Sequence, residues 1–72
     1  PSGYQRINPQ EVRIGDIAIW LGKVYGHMAV VVRRDGNEIV VAQAWGDDNG
    51  VDGRVNLTQT TIYDPDGFIR PL

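Results

Sequence analysis

Short runs of β-branched residues are the feature that most constrains how this chain can fold. Valine (9) and isoleucine (7) far outnumber leucine (3), and β-branched residues favour strands over helices. Three apolar runs have the length of a strand, at residues 16–21, 27–32 and 38–45, with turn-forming residues between them. We therefore predict a mainly β fold built on an antiparallel sheet of four to five strands.

Turn signals mark where the predicted strands begin and end. Residues 35–37 read Asp-Gly-Asn, which favours a hairpin turn because glycine and asparagine tolerate positive φ. Residues 64–67 read Asp-Pro-Asp-Gly, a β-turn with proline at its second position. Residues 8–11 read Asn-Pro-Gln-Glu, which predicts a capping box and one short turn of helix. The remaining β-prone segments are residues 54–57, 58–62 and 68–70.

Size and charge exclude several classes of protein. With 72 residues, of which 42% are hydrophobic and 22% charged, residues 1–72 are predicted to form a single domain or a fragment of one. The chain has seven Lys/Arg and nine Asp/Glu. It therefore lacks the excess of basic residues that is typical of a protein that binds nucleic acid. No apolar run approaches the ~20 residues that a membrane helix requires. We therefore expect neither a nucleic acid nor a membrane as partner.

No metal or cofactor site is predicted. The chain has no cysteine and one histidine, which excludes a disulfide framework, a thiolate metal site and a multi-histidine site. The acidic loop at 47–53 invites a calcium interpretation, but counted from Asp47 the fifth position is Val51 and the twelfth is Thr58. An EF-hand needs oxygen ligands and a glutamate at those positions, and the register that starts at Asp48 also fails. This segment is predicted to be a solvated loop.

His27 is the most informative residue of the sequence. It lies where a glycine-bearing connection enters an apolar strand, in the run GHMAVV at residues 26–31. Such a position fixes the backbone and leaves the imidazole at the rim of the sheet, which suits a general base. The alternative is a partly buried histidine that is hydrogen-bonded to a backbone carbonyl.

Four segments together resemble a known family. They are GDIAIW at 15–20, GHMAVV at 26–31, VVAQAWG at 40–46 and FIRP at 68–71. In this order they look like the C-terminal half of a CHAP domain, the cysteine, histidine-dependent amidohydrolases/peptidases that are related to the NlpC-type enzymes within the papain-like fold. The resemblance covers residues 8–71. It implies the sheet half of a papain-like α+β fold, with the helical N-terminal half outside this chain.

The resemblance implies a role for His27. In the family, a cysteine at the start of an N-terminal helix attacks an amide or peptide bond of peptidoglycan, and a histidine on the following sheet activates the thiol. His27 matches that histidine, and nothing in the chain matches the cysteine. The implied enzyme is an N-acetylmuramoyl-L-alanine amidase or endopeptidase, as in phage endolysins and bacterial cell-wall hydrolases. The implied partners are peptidoglycan and the missing half of the domain, and the implied location is secreted or cell-wall-acting.

In the family, a polar residue on the strand after the histidine orients the imidazole. This chain departs from the usual pattern at that strand. The family commonly has Glu-Gln-Asn-Trp at the end of the next strand, and anchoring on Trp45 places Ala42, Gln43 and Ala44 there. In a regular strand Gln43 points away from the face of the two alanines, so we expect it to face away from His27. It is a candidate for orienting the histidine only through a bulge or a shifted register. Asp47, just past the strand, is a second candidate for orienting the histidine. Trp45, together with Tyr25 beside the Gly-His pair, is predicted to line the substrate groove.

Two alternatives from other functional classes are consistent with the sequence. A non-catalytic cell-wall-binding module with an SH3-like β-barrel has the same size and composition, but it has no reason to carry the Gly-His strand entry. A degenerate CHAP-like structural domain would retain the fold without the chemistry, and the alanines at positions 42 and 44 favour it. A sheet with one uncovered face would also favour self-association.

Overall fold

Six strands form one antiparallel sheet in the computed structural model of the protein, which describes residues 3–22, 26–45 and 54–72. The strands are β1 (Tyr4–Ile7), β2 (Ile17–Leu21), β3 (Gly26–Asp35), β4 (Glu38–Trp45), β5 (Arg54–Thr61) and β6 (Gly67–Pro71). The prediction of a mainly β fold with an antiparallel sheet is confirmed. The additional strand is β1, which has only four residues and forms by pairing with β6.

The order of the strands in the sheet is β1-β6-β2-β3-β4-β5. The strands from β2 to β5 form a meander, and β6 then lies between β1 and β2. The link from β5 to β6 crosses one face of the sheet, where Ile62 and Pro65 are buried and the Asp66 N–H donates to the Ile19 carbonyl at 2.8 Å. Within the described residues the sheet is open, with β1 and β5 as its edges, which differs from the closed barrel of the SH3-like alternative.

The two faces of the sheet differ in what covers them. We call inner the face that the 62–66 link crosses, and its buried residues form the core: Val12, Ala18, Ala29, Val31, Ile39, Val41, Ile62 and Phe68. The opposite, outer face carries the alternating residues of the same strands. On it Met28, Val30 and Leu57 are 62%, 43% and 66% exposed. The sheet therefore has one covered face and one that presents apolar side chains to solvent.

A single helical turn and a bulge adjust the strands around the core. The turn is a 3-10 helix at Pro9–Glu11. Asn8 makes no side-chain cap and instead donates from Nδ2 to the Glu11 carboxylate at 3.0 Å, so the capping-box prediction is wrong in its contacts. In β3 the register shifts between Val31 and Arg33, and this bulge brings Arg34 opposite the buried Ile39.

One ion pair is built into the described core. Asp16 is 2% exposed and accepts from Nε and Nη2 of Arg70 at 2.7 and 2.8 Å and from the Arg13 N–H at 2.8 Å. The hydrogen bond from the Arg70 guanidinium holds the pKa of the Asp16 carboxyl below its usual value, against the opposing effect of burial. Arg70 is in β6 and Asp16 lies just before β2, so the pair connects two segments that are 54 positions apart in the chain.

Candidate functional site

A groove opens on the inner face beside the core, and we call it the histidine groove. Its volume is about 420 Å³, and the buried Val41 contributes to its lining. Its lining also includes Trp20, His27, Gln43, Thr58, Thr60 and Asp64. The groove thus combines an indole, an imidazole, an amide, two hydroxyls and a carboxylate within one concave surface.

The register of β2 and β3 places His27 in the groove. His27 pairs with Trp20 across the two strands, and alternation along β3 puts it on the inner face with the buried Ala29 and Val31. Because it is the second residue of β3, the imidazole lies beyond the core and is exposed. The ring centroids of Trp20 and His27 are 5.3 Å apart with the planes tilted by 41°, a tilted aromatic contact.

Gln43 lies on the same face as His27, so the expectation that it faces away is wrong. Val31 pairs with Val41 in the β3–β4 ladder, and both are fully buried. Two residues further along β4, Gln43 is again on the inner face and lines the groove. Gln43 alternates with Ala42, which pairs with Val30 on the outer face. It is therefore Ala42, and not Gln43, that faces away from His27.

Asp64 is the groove residue that sequence reasoning missed. Its Oδ2 accepts a hydrogen bond from Trp20 Nε1 at 3.1 Å and another from Thr60 Oγ1 at 3.0 Å. Asp64 therefore anchors the indole that contacts His27. The Asp-Pro-Asp-Gly turn signal identified its backbone role, but no local pattern indicates a contact with a residue 44 positions earlier.

Three predicted site residues have little or no structural description. Tyr25 and Asp47 lie outside the described residues. For Trp45 the structure describes the backbone alone, which pairs with Arg54 at the end of the β4–β5 ladder. The predicted roles of these three residues stay predictions.

Neither a metal-ligand cluster nor a membrane-spanning helix occurs among the residues that the structure describes. In that part of the chain no group of three or more His, Cys, Asp or Glu side chains is placed to hold a metal ion. No helix in the same ranges has the length and apolar character to span a bilayer.

The chemistry available in the groove is proton transfer and hydrogen bonding. An imidazole such as that of His27 can act as a general base or acid, and the Gln43 amide can donate and accept hydrogen bonds. The described contacts include no hydrogen bond between Gln43 and His27. Since the chain has no cysteine, a thiol that reacts here has to come from another polypeptide segment.

Comparisons with known proteins give no relative for this chain. No family model matches the sequence, and neither a curated protein nor a solved structure is similar to it at a significant level.

Proposed function

We propose that this chain is the sheet half of a peptidoglycan hydrolase, an N-acetylmuramoyl-L-alanine amidase or endopeptidase whose cysteine lies outside the chain. The observation that carries the proposal is the placement of His27 and Gln43 in one groove. An exposed imidazole and an amide from adjacent strands converge there beside an anchored indole. That arrangement provides a base, a group that can orient it, and a wall against which substrate can pack.

In the proposed reaction His27 acts as base and then as acid. The imidazole takes the proton of the incoming thiol, and the thiolate forms a C–S bond to the carbonyl carbon of the amide. The C–N bond then breaks as the imidazolium returns its proton to the leaving amine. Water hydrolyses the resulting thioester, with His27 again accepting a proton. Trp20 restricts the rotation of the imidazole, because Asp64 holds the indole in place.

The position of His27 restricts where the missing cysteine can approach. His27 is on the inner face, whereas the exposed apolar residues Met28, Val30 and Leu57 are on the outer face. A helix that packed flat on the outer face would present its thiol to the wrong side of the sheet. In this proposal the cysteine-bearing half therefore reaches His27 from the inner side of the sheet.

Peptidoglycan fits the side chains of the groove as a substrate. An indole face packs against the apolar side of a sugar ring or a peptide, while amide, hydroxyl and carboxylate groups provide hydrogen bonds to sugar hydroxyls and peptide amides. A protein that acts on this polymer is secreted or works at the cell wall, and that location belongs to the same proposal.

The first test is binding of soluble muropeptides to the 72-residue chain, followed by NMR. We expect the largest chemical-shift changes at Trp20, His27 and Gln43, and we expect His27→Ala to weaken binding about 10-fold, a loss of ~1.4 kcal/mol. Met28→Ala is the matched control, because Met28 is the next residue and points to the outer face. Shifts confined to the outer face, or no shifts at millimolar ligand, would refute binding in the groove.

The second test addresses the chemistry. In a polypeptide that joins this segment to its cysteine half, His27→Ala should lower turnover on purified cell walls by about 10²–10⁴-fold, with the melting temperature nearly unchanged. Gln43→Ala should lower turnover by about 10-fold, the effect of an orienting rather than a reacting group. The 72-residue chain alone should release no amino groups from cell walls. Normal turnover of the His27→Ala enzyme would eliminate the catalytic role.

A non-catalytic wall-binding module is the second candidate, and one observation favours it. β1 and β6 pair with each other, and the 62–66 link covers the inner face, so the described residues form a core among themselves. This candidate requires the same groove to bind muropeptides and requires no cysteine. If the isolated chain binds walls and no cysteine-bearing partner restores hydrolysis, the module is the better description.

A further inference from the structure

The outer edge of β5 is the longest unpaired strand edge in the described sheet. β5 has 8 residues, and all of them pair with β4 in one uninterrupted register from Glu38–Thr61 to Trp45–Arg54. No described residue pairs with its other side. Along this edge the strand therefore presents free backbone N–H and C=O groups that a further strand can use.

In the described part of the chain, this edge has few of the features that usually prevent strands from pairing. Arg54, the first residue of β5, is its one charged residue; residues 55–61 contain no charge and no proline, and no bulge interrupts the ladder of β5. Natural edge strands are generally short, charged, bulged or covered. The other edge, β1, is short, with 4 residues, and it carries Arg6 at its centre. The contrast points to β5 as the edge that is open to pairing.

We propose that β5 pairs antiparallel with β5 of a second copy of this chain, about a twofold axis through Leu57. An axis perpendicular to the sheet keeps the outer faces of both copies on the same side. Residues directly opposite each other in an antiparallel ladder point to the same face, so in this arrangement the residue on the axis pairs with the same residue of the second copy. With the axis at Leu57, which is 66% exposed, the two leucine side chains cover each other. Asn56 then lies opposite Thr58 of the second copy, and polar groups face polar groups.

The twofold arrangement closes on itself. Each copy uses its single β5 edge, and the short β1 edges remain at the two ends of a twelve-stranded sheet, twice the six strands of one copy. A head-to-tail arrangement of β5 on β1 would instead grow into a filament. Because one strand pair is a small interface, we expect a weak dimer, with a dissociation constant of about 100 µM. This inference does not depend on the proposed function, since it uses neither His27 nor peptidoglycan.

The test measures self-association of the 72-residue chain by sedimentation velocity, from about 10 µM to about 1 mM. We expect a monomer–dimer equilibrium, with amide hydrogen exchange along β5 slowed at the higher concentrations. Leu57→Lys should weaken the dimer at least about 10-fold, because it sets two like charges opposite each other. Met28→Lys, on the same outer face but on β3, is the matched control and should change the dissociation constant by less than about twofold.

Two results would overturn the proposal. One is a chain that stays monomeric at about 1 mM. The other is a dimer that Met28→Lys abolishes and Leu57→Lys does not, because that pattern indicates packing of two outer faces. Circular dichroism checks that each variant folds. If Leu57→Lys does not fold, Gln59→Lys on the exposed part of the same strand introduces the charge near the axis, and it should also weaken the dimer.

Discussion

The two faces of this sheet are made from alternate residues of the same strands, and they behave as different surfaces. The inner face combines a buried apolar core with a polar groove at its rim. The outer face has β-branched and other apolar residues at similar density, but Met28, Val30 and Leu57 remain largely exposed. The difference arises from what crosses each face, because the 62–66 link and Val12 cover the inner side. Apolar composition alone therefore does not indicate which face of a sheet forms the core.

The largest expected effect compares one apolar residue from each face. Phe68 is 1% exposed on the inner face, whereas Leu57 is 66% exposed on the outer face. Phe68→Ala should lower the free energy of unfolding by about 3–5 kcal/mol, which is close to the total stability of a domain of this size. Leu57→Ala should change it by no more than about 0.5 kcal/mol. Urea denaturation at low protein concentration measures both, and similar losses would show that the two faces are not distinct.

A smaller effect is expected for the ion pair of Asp16 and Arg70. The Arg70 side chain is 27% exposed and water can solvate its guanidinium, so Asp16→Asn should cost less than the loss of a fully buried pair, about 1–2 kcal/mol. Asp35→Asn, at an exposed position, is the control and should be nearly neutral. Thermal unfolding at pH 7 measures the two losses. A loss below about 1 kcal/mol for Asp16→Asn would mean that the pair contributes no more than a surface ion pair.

The same pair predicts how stability depends on pH. The pKa of Asp16 is lower in the folded chain than in the unfolded chain, so its contribution is complete above the unfolded value of about 4. It is lost as the pH falls further through the folded value, where the carboxyl becomes protonated in both states. The stability difference between the wild type and Asp16→Asn should therefore be constant from pH 7 to about 5 and should narrow below about 4. A difference that grows on acidification would contradict the lowered pKa.

The smallest expected change in stability compares two neighbours on opposite faces at the start of β3. His27 and Met28 are both exposed, so replacing either with alanine creates little cavity and should cost less than about 1 kcal/mol. The two variants should differ in muropeptide binding, which His27→Ala weakens and Met28→Ala leaves unchanged. Equal binding by both variants would show that the groove, and with it the distinction between the faces, has no part in recognition.

Much of the sheet follows from local sequence, whereas the groove does not. The strands from β2 to β4 coincide with runs of β-branched residues, and the hairpin at 35–37 has glycine where φ is +63° at Gly36. β1 was missed because its residues gain strand geometry from β6, which lies more than 60 positions later in the chain. The contact of Asp64 with Trp20 is also long-range, at 44 positions.

Gln43 shows the limit of inferring a face from a family pattern. Its alternation with Ala42 and Ala44 is a property of any strand, but which side faces His27 depends on the register between β3 and β4. That register sets the buried Val31 opposite the buried Val41, and it places Gln43 rather than Ala42 beside the groove. Matching the inner faces of the two strands by their most apolar residues would have predicted it.

The pairing of β1 with β6 has a mechanical consequence. Tyr4 pairs with Pro71, and the Leu72 N–H donates to the Gly3 carbonyl at 2.9 Å, so the described chain enters and leaves the sheet at the same point. Tension applied to the two ends loads this pair of strands at their outermost hydrogen bond, and the bonds toward Ile7 and Phe68 then break one after another. Strands that open in this way resist far less force than strands pulled past each other along their length, where all bonds share the load. Under tension from both ends the sheet would therefore open first between β1 and β6, while the meander from β2 to β5 is still intact.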